Sequence, residues 1–342
     1  MTNWLERGFG FAVPVLIAMV VSALVLIAIG ESPIDTFSLM ATEAFGSPRR
    51  IASTLSASTP LLFTAIATAI CFRTGVFNVG VDGAFLIGGL AAVVMGFSLP
   101  AGLGWALIPI CIGVAALFGA AWLFIPGWLL AKLEVDEVVS TLMLNFIAMA
   151  ITGYLVNGPF LSATSGNNVT PTVHEAAQLD RLMPPATLHG GFLIGLALLL
   201  AYAFWTRRTP TGLEGAWVGL NKRFARAVGV SVPNTIILVM VLSGVIAGIG
   251  GASHGMGQLY RFTDGFSAGY GFTGMAVALL GRNTPLGILI GAVLFGALAS
   301  AGTTIQLFSD IPLDLVNIIQ GIVMIFAVVE LGRITFRRRA RA

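Results

Sequence analysis

Residues 83–131 form the longest stretch of the chain without a charged side chain, and they read GAFLIGGLAAVVMGFSLPAGLGWALIPICIGVAALFGAAWLFIPGWLLA. A helix that crosses a bilayer needs about 20 apolar residues, so this stretch is too long for one crossing. The turn-forming residues 98–102, Ser-Leu-Pro-Ala-Gly, divide it in two. The sequence therefore predicts two consecutive membrane-spanning helices, at 76–97 and 103–131.

The composition of the whole chain agrees with a membrane protein. Hydrophobic residues make up 57% of the 342 residues and charged residues only 10%, and the mean hydropathy is +0.94. Soluble domains carry about 25% charged residues, so a soluble globular protein and a disordered chain are both excluded. Two cysteines are too few for a disulfide scaffold. Long apolar runs argue against a membrane β-barrel, whose strands alternate in hydropathy.

Charged residues separate the apolar runs and predict an all-α polytopic fold with about ten transmembrane helices. The run at 269–281 is short for a full crossing and is interpreted as a half-helix or a re-entrant element, with its backbone buried in protein. Placing both termini in the cytoplasm puts 14 of the 18 Lys and Arg residues in inner loops, as the positive-inside rule requires. The predicted spans are 9–30, 51–72, 76–97, 103–131, 138–157, 191–206, 233–257, 269–281, 284–304 and 314–332.

This topology predicts one transmembrane domain over 1–342. It contains a polar external loop at 158–190, a basic cytoplasmic loop at 207–231 and a basic cytoplasmic tail at 333–342. The net charge of +3 comes from these inner loops, so nucleic acid is not an expected partner, whereas membrane lipid is.

No catalytic, metal or nucleotide motif is present in the sequence. The only lysines, Lys132 and Lys222, follow Ala and Asn, so the Gly-Lys-Ser/Thr loop of an ATPase is missing. The three histidines, His174, His189 and His254, are scattered rather than clustered as metal ligands. We therefore expect a non-catalytic chain with no cofactor of its own.

Asp82 is the only charged residue well inside the predicted span 76–97. It should face the bundle interior, because a carboxylate in hydrocarbon is costly. Asn78 precedes it by four residues and is expected on the same helix face, and Asn145 in the fifth span should face both. These side chains either line a solute path or hold helices together by hydrogen bonds, and the second role is the commoner one.

The loop 207–231 carries a repeated apolar pattern with the spacing of one helix face. A basic amphipathic helix lying on the membrane and a short helix that docks into a cytoplasmic partner explain the pattern equally well. The apolar positions are Leu213, Trp217, Leu220, Phe224 and Val228.

Glycines four residues apart, such as Gly244 and Gly248, indicate helices in close contact. The stretches 77–80 (Phe-Asn-Val-Gly) and 271–274 (Gly-Phe-Thr-Gly) each precede a small-residue-rich run. Helices broken in corresponding halves mark the midplane binding region of many transporters, so an internal repeat is one interpretation.

Four segments together resemble a known family. They are residues 72–83 (FRTGVFNVGVDG), 137–145 (EVVSTLMLN), 219–230 with its Gly-Leu-Asn start and Ala-Val-Gly-Val end, and 274–287 (GMAVALLGRNTPLG). From about residue 50 to 330 the chain is similar to permease subunits of bacterial ABC importers for nucleosides and simple sugars, related to branched-chain amino-acid permeases. It looks most like the longer of two paired nucleoside permeases.

This resemblance implies an importer for a small-molecule solute in the bacterial cytoplasmic (inner) membrane. Two permease chains, which the resemblance suggests are different, would form the pathway. A separate ATPase subunit would bind ATP and Mg, and an extracytoplasmic binding protein of the basic-membrane-protein type would deliver the solute. Residues 214–219 partly match the coupling loop of ABC permeases, with Gly215 in place of its first alanine, and this favours the docking helix.

The expected site residues follow from both lines of reasoning. Those expected to couple to the ATPase are Leu213, Glu214, Ala216, Trp217, Gly219, Leu220, Phe224 and Val228. Those expected to line the pathway are Phe77, Asn78, Asp82, Asn145 and Phe272.

Three alternatives stay open on the sequence. In the first alternative, the same machinery carries another cargo: a ribose-like sugar, a nucleobase or a branched-chain amino acid. An ion-driven secondary transporter would need several intramembrane ionisable groups, and Asp82 is nearly alone. A membrane scaffold or enzyme is remote, because no catalytic constellation is present.

Overall fold

The computed structural model describes residues 16–17, 19–27, 30, 32–163, 166–308, 318, 321–322 and 325. The described part is helical, and its only β-type pairings are two isolated bridges, Val169 with Thr263 and Arg181 with His189. The helices are α1 (Pro33–Phe45), α2 (Pro48–Arg73), α3 (Val81–Ser98), α4 (Leu107–Leu133), α5 (Glu137–Asn157), α6 (Gly191–Arg208), α7 (Pro210–Leu220), α8 (Lys222–Ala227), α9 (Val232–His254), α10 (Tyr270–Leu280) and α11 (Pro285–Phe308).

Seven of these helices are long and apolar enough to cross a membrane, and they match seven predicted spans. The eighth prediction also holds, since α10 has only 11 residues. The prediction for 9–30 falls partly on described helical residues at 16–17 and 19–27. The predicted span 314–332, apart from four residues, and the tail 333–342 lie outside the described residues.

Helix α1 was not predicted, because it lies in a segment assigned to the first external loop. Ser32 caps its N-terminus by accepting a hydrogen bond from the Asp35 amide, and Pro33 occupies the first helical position. Both residues favour a helix start at this place. The helix packs on α11 and α2 through Met40 and Ala44.

Helices α2, α3 and α9 form the centre of the bundle, while α4, α5 and α6 leave many large apolar side chains exposed. Such an outer surface suits contact with lipid tails. Helix α9 lies directly against α4 because Gly244 and Gly248 face Ala115 and Gly119 with no side chain between the backbones. The prediction of close helix packing at this glycine pair is thus confirmed.

The predicted external loop 158–190 is a folded cap rather than a free loop. Three of its amides donate to the turn that follows α9: Thr170 to the Phe262 carbonyl at 2.9 Å, Val173 to Tyr260 at 2.9 Å and Leu179 to Met256 at 3.0 Å. His189 is fully buried in the cap, and burial lowers its pKa to about 4, so its ring is neutral at pH 7.

The α4–α9 contact yields a test of packing. We expect Gly119→Val to destabilise the protein by about 1–3 kcal/mol, because the added side chain overlaps the Gly244 backbone. Gly113→Val on the same helix is the matched control, since a side chain there meets open space. Thermal unfolding midpoints of the detergent-solubilised variants provide the measurement, and equal midpoints would contradict this packing.

Candidate functional site

The backbone between α2 and α3 is not helical from Val76 to Gly80, although the sequence predicted a helix beginning at 76. Asn78 therefore does not share a helix face with Asp82, and that expectation is wrong. Asn78 instead holds the extended segment in place. Its amide nitrogen donates to the Ser243 hydroxyl on α9 at 3.0 Å, and its oxygen accepts from the Gly80 amide at 2.9 Å.

Helix α5 satisfies the backbone of this extended segment, 76–80, with three side chains four residues apart. Glu137 lies 3.5 Å from the Phe77 amide, and Thr141 accepts from the Val79 amide at 3.3 Å. Asn145 accepts from the Gly83 amide at 2.8 Å and donates to the Val79 carbonyl at 2.9 Å.

The Asn145 contacts explain where α3 starts. The Val79 carbonyl and the Gly83 amide are four residues apart and would bond each other in a continuing helix. The side-chain amide of Asn145 bonds to both groups instead, so α3 does not extend back to Val79. The structure therefore gives Asn145 the interhelical bonding role, and it contacts backbone rather than the side chains of Asn78 or Asp82.

Asp82 lies in the first turn of α3 and is 95% buried. Its carboxylate accepts from the Gly271 amide at 2.8 Å and from the Ser267 hydroxyl at 2.6 Å. Gly271 lies in the first turn of α10, so the N-termini of the two helices predicted as possible counterparts meet at one carboxylate. The amides and dipoles of helix N-termini both favour a negative charge there.

Phe77 and Phe272 do not join this group. Each is 42% exposed, and Phe77 stacks on Phe72 with ring centroids 5.0 Å apart. The structure thus brings together Asp82 and the start of α10 on one side, and Asn78, Asn145 and the extended segment 76–80 on the other.

Residues 213–228 do not form the single helix that their spacing predicted. Asn221 adopts an extended conformation, with φ −160° and ψ 107°, and ends α7. Its side chain then caps α8 by accepting from the amides of Arg223 and Phe224. Asn favours such caps over helix interiors because its side chain competes for backbone hydrogen bonds.

The apolar side chains of this region still lie on the surface. Leu220 is 84% exposed, Leu213, Phe224 and Val228 are about half exposed, and Trp217 packs edge-on against Phe224 at 6.3 Å. We call Leu213, Trp217, Leu220, Phe224 and Val228 the apolar surface of α7 and α8. Glu214 and Ala216 are half-buried beside it.

The opposite side of α7 contacts the end of α2 without intervening side chains. Gly219 lies against the backbone of Arg73 and Thr74, and Gly75, with φ +73°, lies against Gly219 in turn. Arg73 also donates to the Thr206 carbonyl at 3.2 Å. Helix α7 therefore rests on the turn that leads directly into the extended segment 76–80.

Sequence reasoning missed Glu137, Thr141, Ser243 and Ser267, all of which bond to the predicted residues or to the extended segment 76–80. The spacing of four that joins Glu137, Thr141 and Asn145 was a usable signal, since such residues share a helix face. Ser243 and Ser267 are remote in sequence from their partners and gave no such signal.

The bridging role of Asn145 is testable. We expect Asn145→Leu to destabilise the protein by about 1–3 kcal/mol, because it leaves a buried backbone donor or acceptor unsatisfied. Asn157→Leu is the matched control, since Asn157 is an exposed residue at the end of the same helix. Thermal unfolding in detergent is the readout, and an Asn145→Leu variant as stable as the control would exclude the bridge.

Comparison with known proteins identifies the family. Residues 50–328 match the model described as branched-chain amino acid transport system, permease component. A guanosine ABC transporter permease of Bacillus subtilis is 32% identical over 92% of this chain and 91% of its own length. A nucleoside ABC transporter permease of Lactococcus lactis is 32% identical, covering 96% and 93%. A glucose ABC transporter permease of Haloferax volcanii is 32% identical, covering 95% and 88%. The chain therefore belongs to this family of membrane-embedded ABC transporter permeases.

Proposed function

We propose that this permease carries nucleosides and forms half of their pathway across the cytoplasmic (inner) membrane. Two of the three relatives named above are permeases for guanosine or nucleosides, and both cover nearly the whole chain. In this proposal, the chain itself supplies no catalytic group and binds no cofactor. ATP and Mg are bound by a partner ATPase subunit.

Two further partners complete the proposed importer. A second permease chain, different from this one, supplies the other half of the pathway. An extracytoplasmic binding protein of the basic-membrane-protein type delivers the solute to the face formed by the cap 158–190. Glucose is the second cargo to consider, because the relative from Haloferax volcanii is a glucose permease.

The position of α7 supports ATPase coupling, because one side of the helix is exposed and the other packs on the end of α2. Its apolar side is exposed, as a docking helix requires, because a partner can then bury Leu220 of α7 together with Phe224 of the adjoining α8. Its glycine side rests on the turn 73–75. A displacement of α7 by the ATPase would move this turn and, through the extended segment 76–80, the start of α3.

The same contacts carry that displacement to the centre of the bundle. The extended segment 76–80 ends next to Asp82, whose carboxylate holds the first turn of α10. Two helix starts joined by one carboxylate can move together or separate, which gives the pathway two arrangements. A packed interface has discrete arrangements of this kind rather than a continuous range.

The coupling proposal predicts the effect of a charge at the centre of the docking side. We expect Leu220→Asp to abolish substrate-stimulated ATP hydrolysis of the assembled transporter, because it places a carboxylate in the apolar contact. The protein should still insert, since Leu220 is 84% exposed and its loss leaves the core intact. Trp217 is a less clean position, because it also packs against buried residues.

Ile34→Asp is the matched control for this variant. Ile34 is 80% exposed on α1, outside both the apolar surface of α7 and α8 and the cap 158–190. The ATP turnover of the transporter with Ile34→Asp should equal that of the unchanged transporter. Normal stimulated turnover in Leu220→Asp would refute docking through this surface.

The cargo is tested by uptake of labelled adenosine and guanosine in a strain with and without this chain. We expect uptake to depend on the chain and to be unaffected by excess ribose or leucine. Loss of ribose or leucine uptake with unchanged nucleoside uptake would reject the nucleoside cargo and retain the permease.

A further inference from the structure

A cavity of about 370 Å³ lies between α2, α10 and α11. Its volume falls within the roughly 300–1,000 Å³ typical of small-molecule sites. None of the residues assigned above to the pathway lines it. It reaches from Ser53, near the start of α2 at the cap end, to Tyr270 at the start of α10.

The lining is polar but carries no charge among its described residues. Hydroxyl groups come from α2 (Ser53, Ser56), α10 (Tyr270, Thr273) and α11 (Thr303). Phe295 provides a second aromatic wall. A zwitterionic amino acid would have to leave both of its charges without an opposite charge here, which is costly. The lining therefore favours a neutral solute with several hydrogen-bonding groups and an apolar face.

Three lining side chains have hydrogen-bonding capacity to spare. Tyr270 and Thr273 make no side-chain hydrogen bond to any described residue, although a helical threonine commonly bonds back to its own helix. The buried amide oxygen of Gln258 makes no hydrogen bond of good geometry among the described residues, and the His254 side chain is its neighbour. Buried polar groups are normally paired, so this oxygen, together with the half-buried hydroxyls of Tyr270 and Thr273, is available to a ligand or water.

Gln258 also lies in a segment with an unusual backbone conformation. It lies in the π-helical turn Gly255–Leu259, where α9 ends and the chain turns under the cap. Turns of this type recur at functional sites, because they point side chains away from the regular helical positions. The His254 ring lies beside the Gln258 side chain, and Oγ of Ser253 is buried and unpartnered within the described part of the chain.

Tyr270 links the cavity to the helix junction at Asp82. It is the first residue of α10, next to Gly271, whose amide donates to the Asp82 carboxylate. Its ring contacts His254 at 5.2 Å and Phe85 at 5.7 Å between centroids. A solute in the cavity would therefore touch the same helix start that Asp82 holds.

We propose that this cavity is the solute-binding site of the permease and takes a neutral nucleoside, with Gln258, Tyr270 and Thr273 as its hydrogen-bonding contacts. This inference rests on the proposed function and specifies its site. The aromatic walls suit a base, and the hydroxyl and amide groups suit the sugar hydroxyls.

The first test compares uptake by the complete transporter in proteoliposomes. We expect Gln258→Leu to raise the KM for guanosine about tenfold, the effect of losing one good hydrogen bond. Asn234→Leu is the matched control, because Asn234 is an exposed amide at the start of α9, outside both the cavity and the cap. An unchanged KM in Gln258→Leu would overturn the assignment of Gln258.

The second test does not depend on the folding of a polar-to-apolar variant. Ala57 on α2 and Ala299 on α11 both line the cavity, and the native cysteines, Cys71 and Cys111, are fully buried. We expect Ala57→Cys and Ala299→Cys to react with a small thiol reagent and guanosine to slow the reaction at least fivefold. Ala101→Cys, exposed outside the cavity, should react equally with and without guanosine.

The outcomes separate the site from the cargo. Protection by glucose but not by guanosine would retain the cavity as the site and reject the nucleoside. Protection by leucine would overturn the neutral-solute class. Failure of the cysteines to react, or no protection by any of the three, would overturn the cavity as the binding site, while chain-dependent nucleoside uptake would still stand.

Discussion

Backbone groups that leave a helix inside a membrane must find partners within the protein, because lipid offers none. In this permease the segment from Val76 to Gly80 is non-helical beside the first half of α5 and the central part of α9. Asn78, Thr141 and Asn145 supply most of its hydrogen bonds. The start of α3, and with it the location of Asp82, depends on these contacts. A polar ladder on one face of α5 thus fixes the centre of the fold.

The structure also depends on small residues at the places where the backbones of two helices touch. Gly119, Gly244 and Gly248 allow α4 and α9 to approach without side chains between them, and Gly75 and Gly219 do the same for α2 and α7. Dispersion contacts and hydrogen bonds drive helix association in lipid, so close approach is the main source of stability there. At the α2–α7 contact it also provides a rigid connection from an exposed apolar surface to the extended segment 76–80.

The interior has two polar regions with different chemistry. One carboxylate oxygen of Asp82 accepts from the first turn of α10 and from a neighbouring hydroxyl. The cavity between α2, α10 and α11 has uncharged polar groups, of which the Tyr270 and Thr273 hydroxyls make no hydrogen bond to a described residue. The contacts of Asp82 suit a connection between two helices, whereas the polar groups of the cavity suit the binding of a ligand. Their meeting at Tyr270 and Gly271 brings solute contact and helix movement to one place.

The sequence by itself determined the positions of the seven long helices in the described part of the chain, because a membrane-spanning helix depends on the length and hydropathy of one continuous segment. It also located the short helix α10 and the apolar surface at Leu213–Val228, although not the break at Asn221. Only the tertiary structure decided where α3 begins, since Asn145 competes for a hydrogen bond of a helix 62 residues earlier in the chain. The same holds for the cavity, whose walls at Ser53 and Thr303 come from opposite ends of the chain. Contacts of this kind depend on which helix faces meet, and one-dimensional spacing does not contain that information.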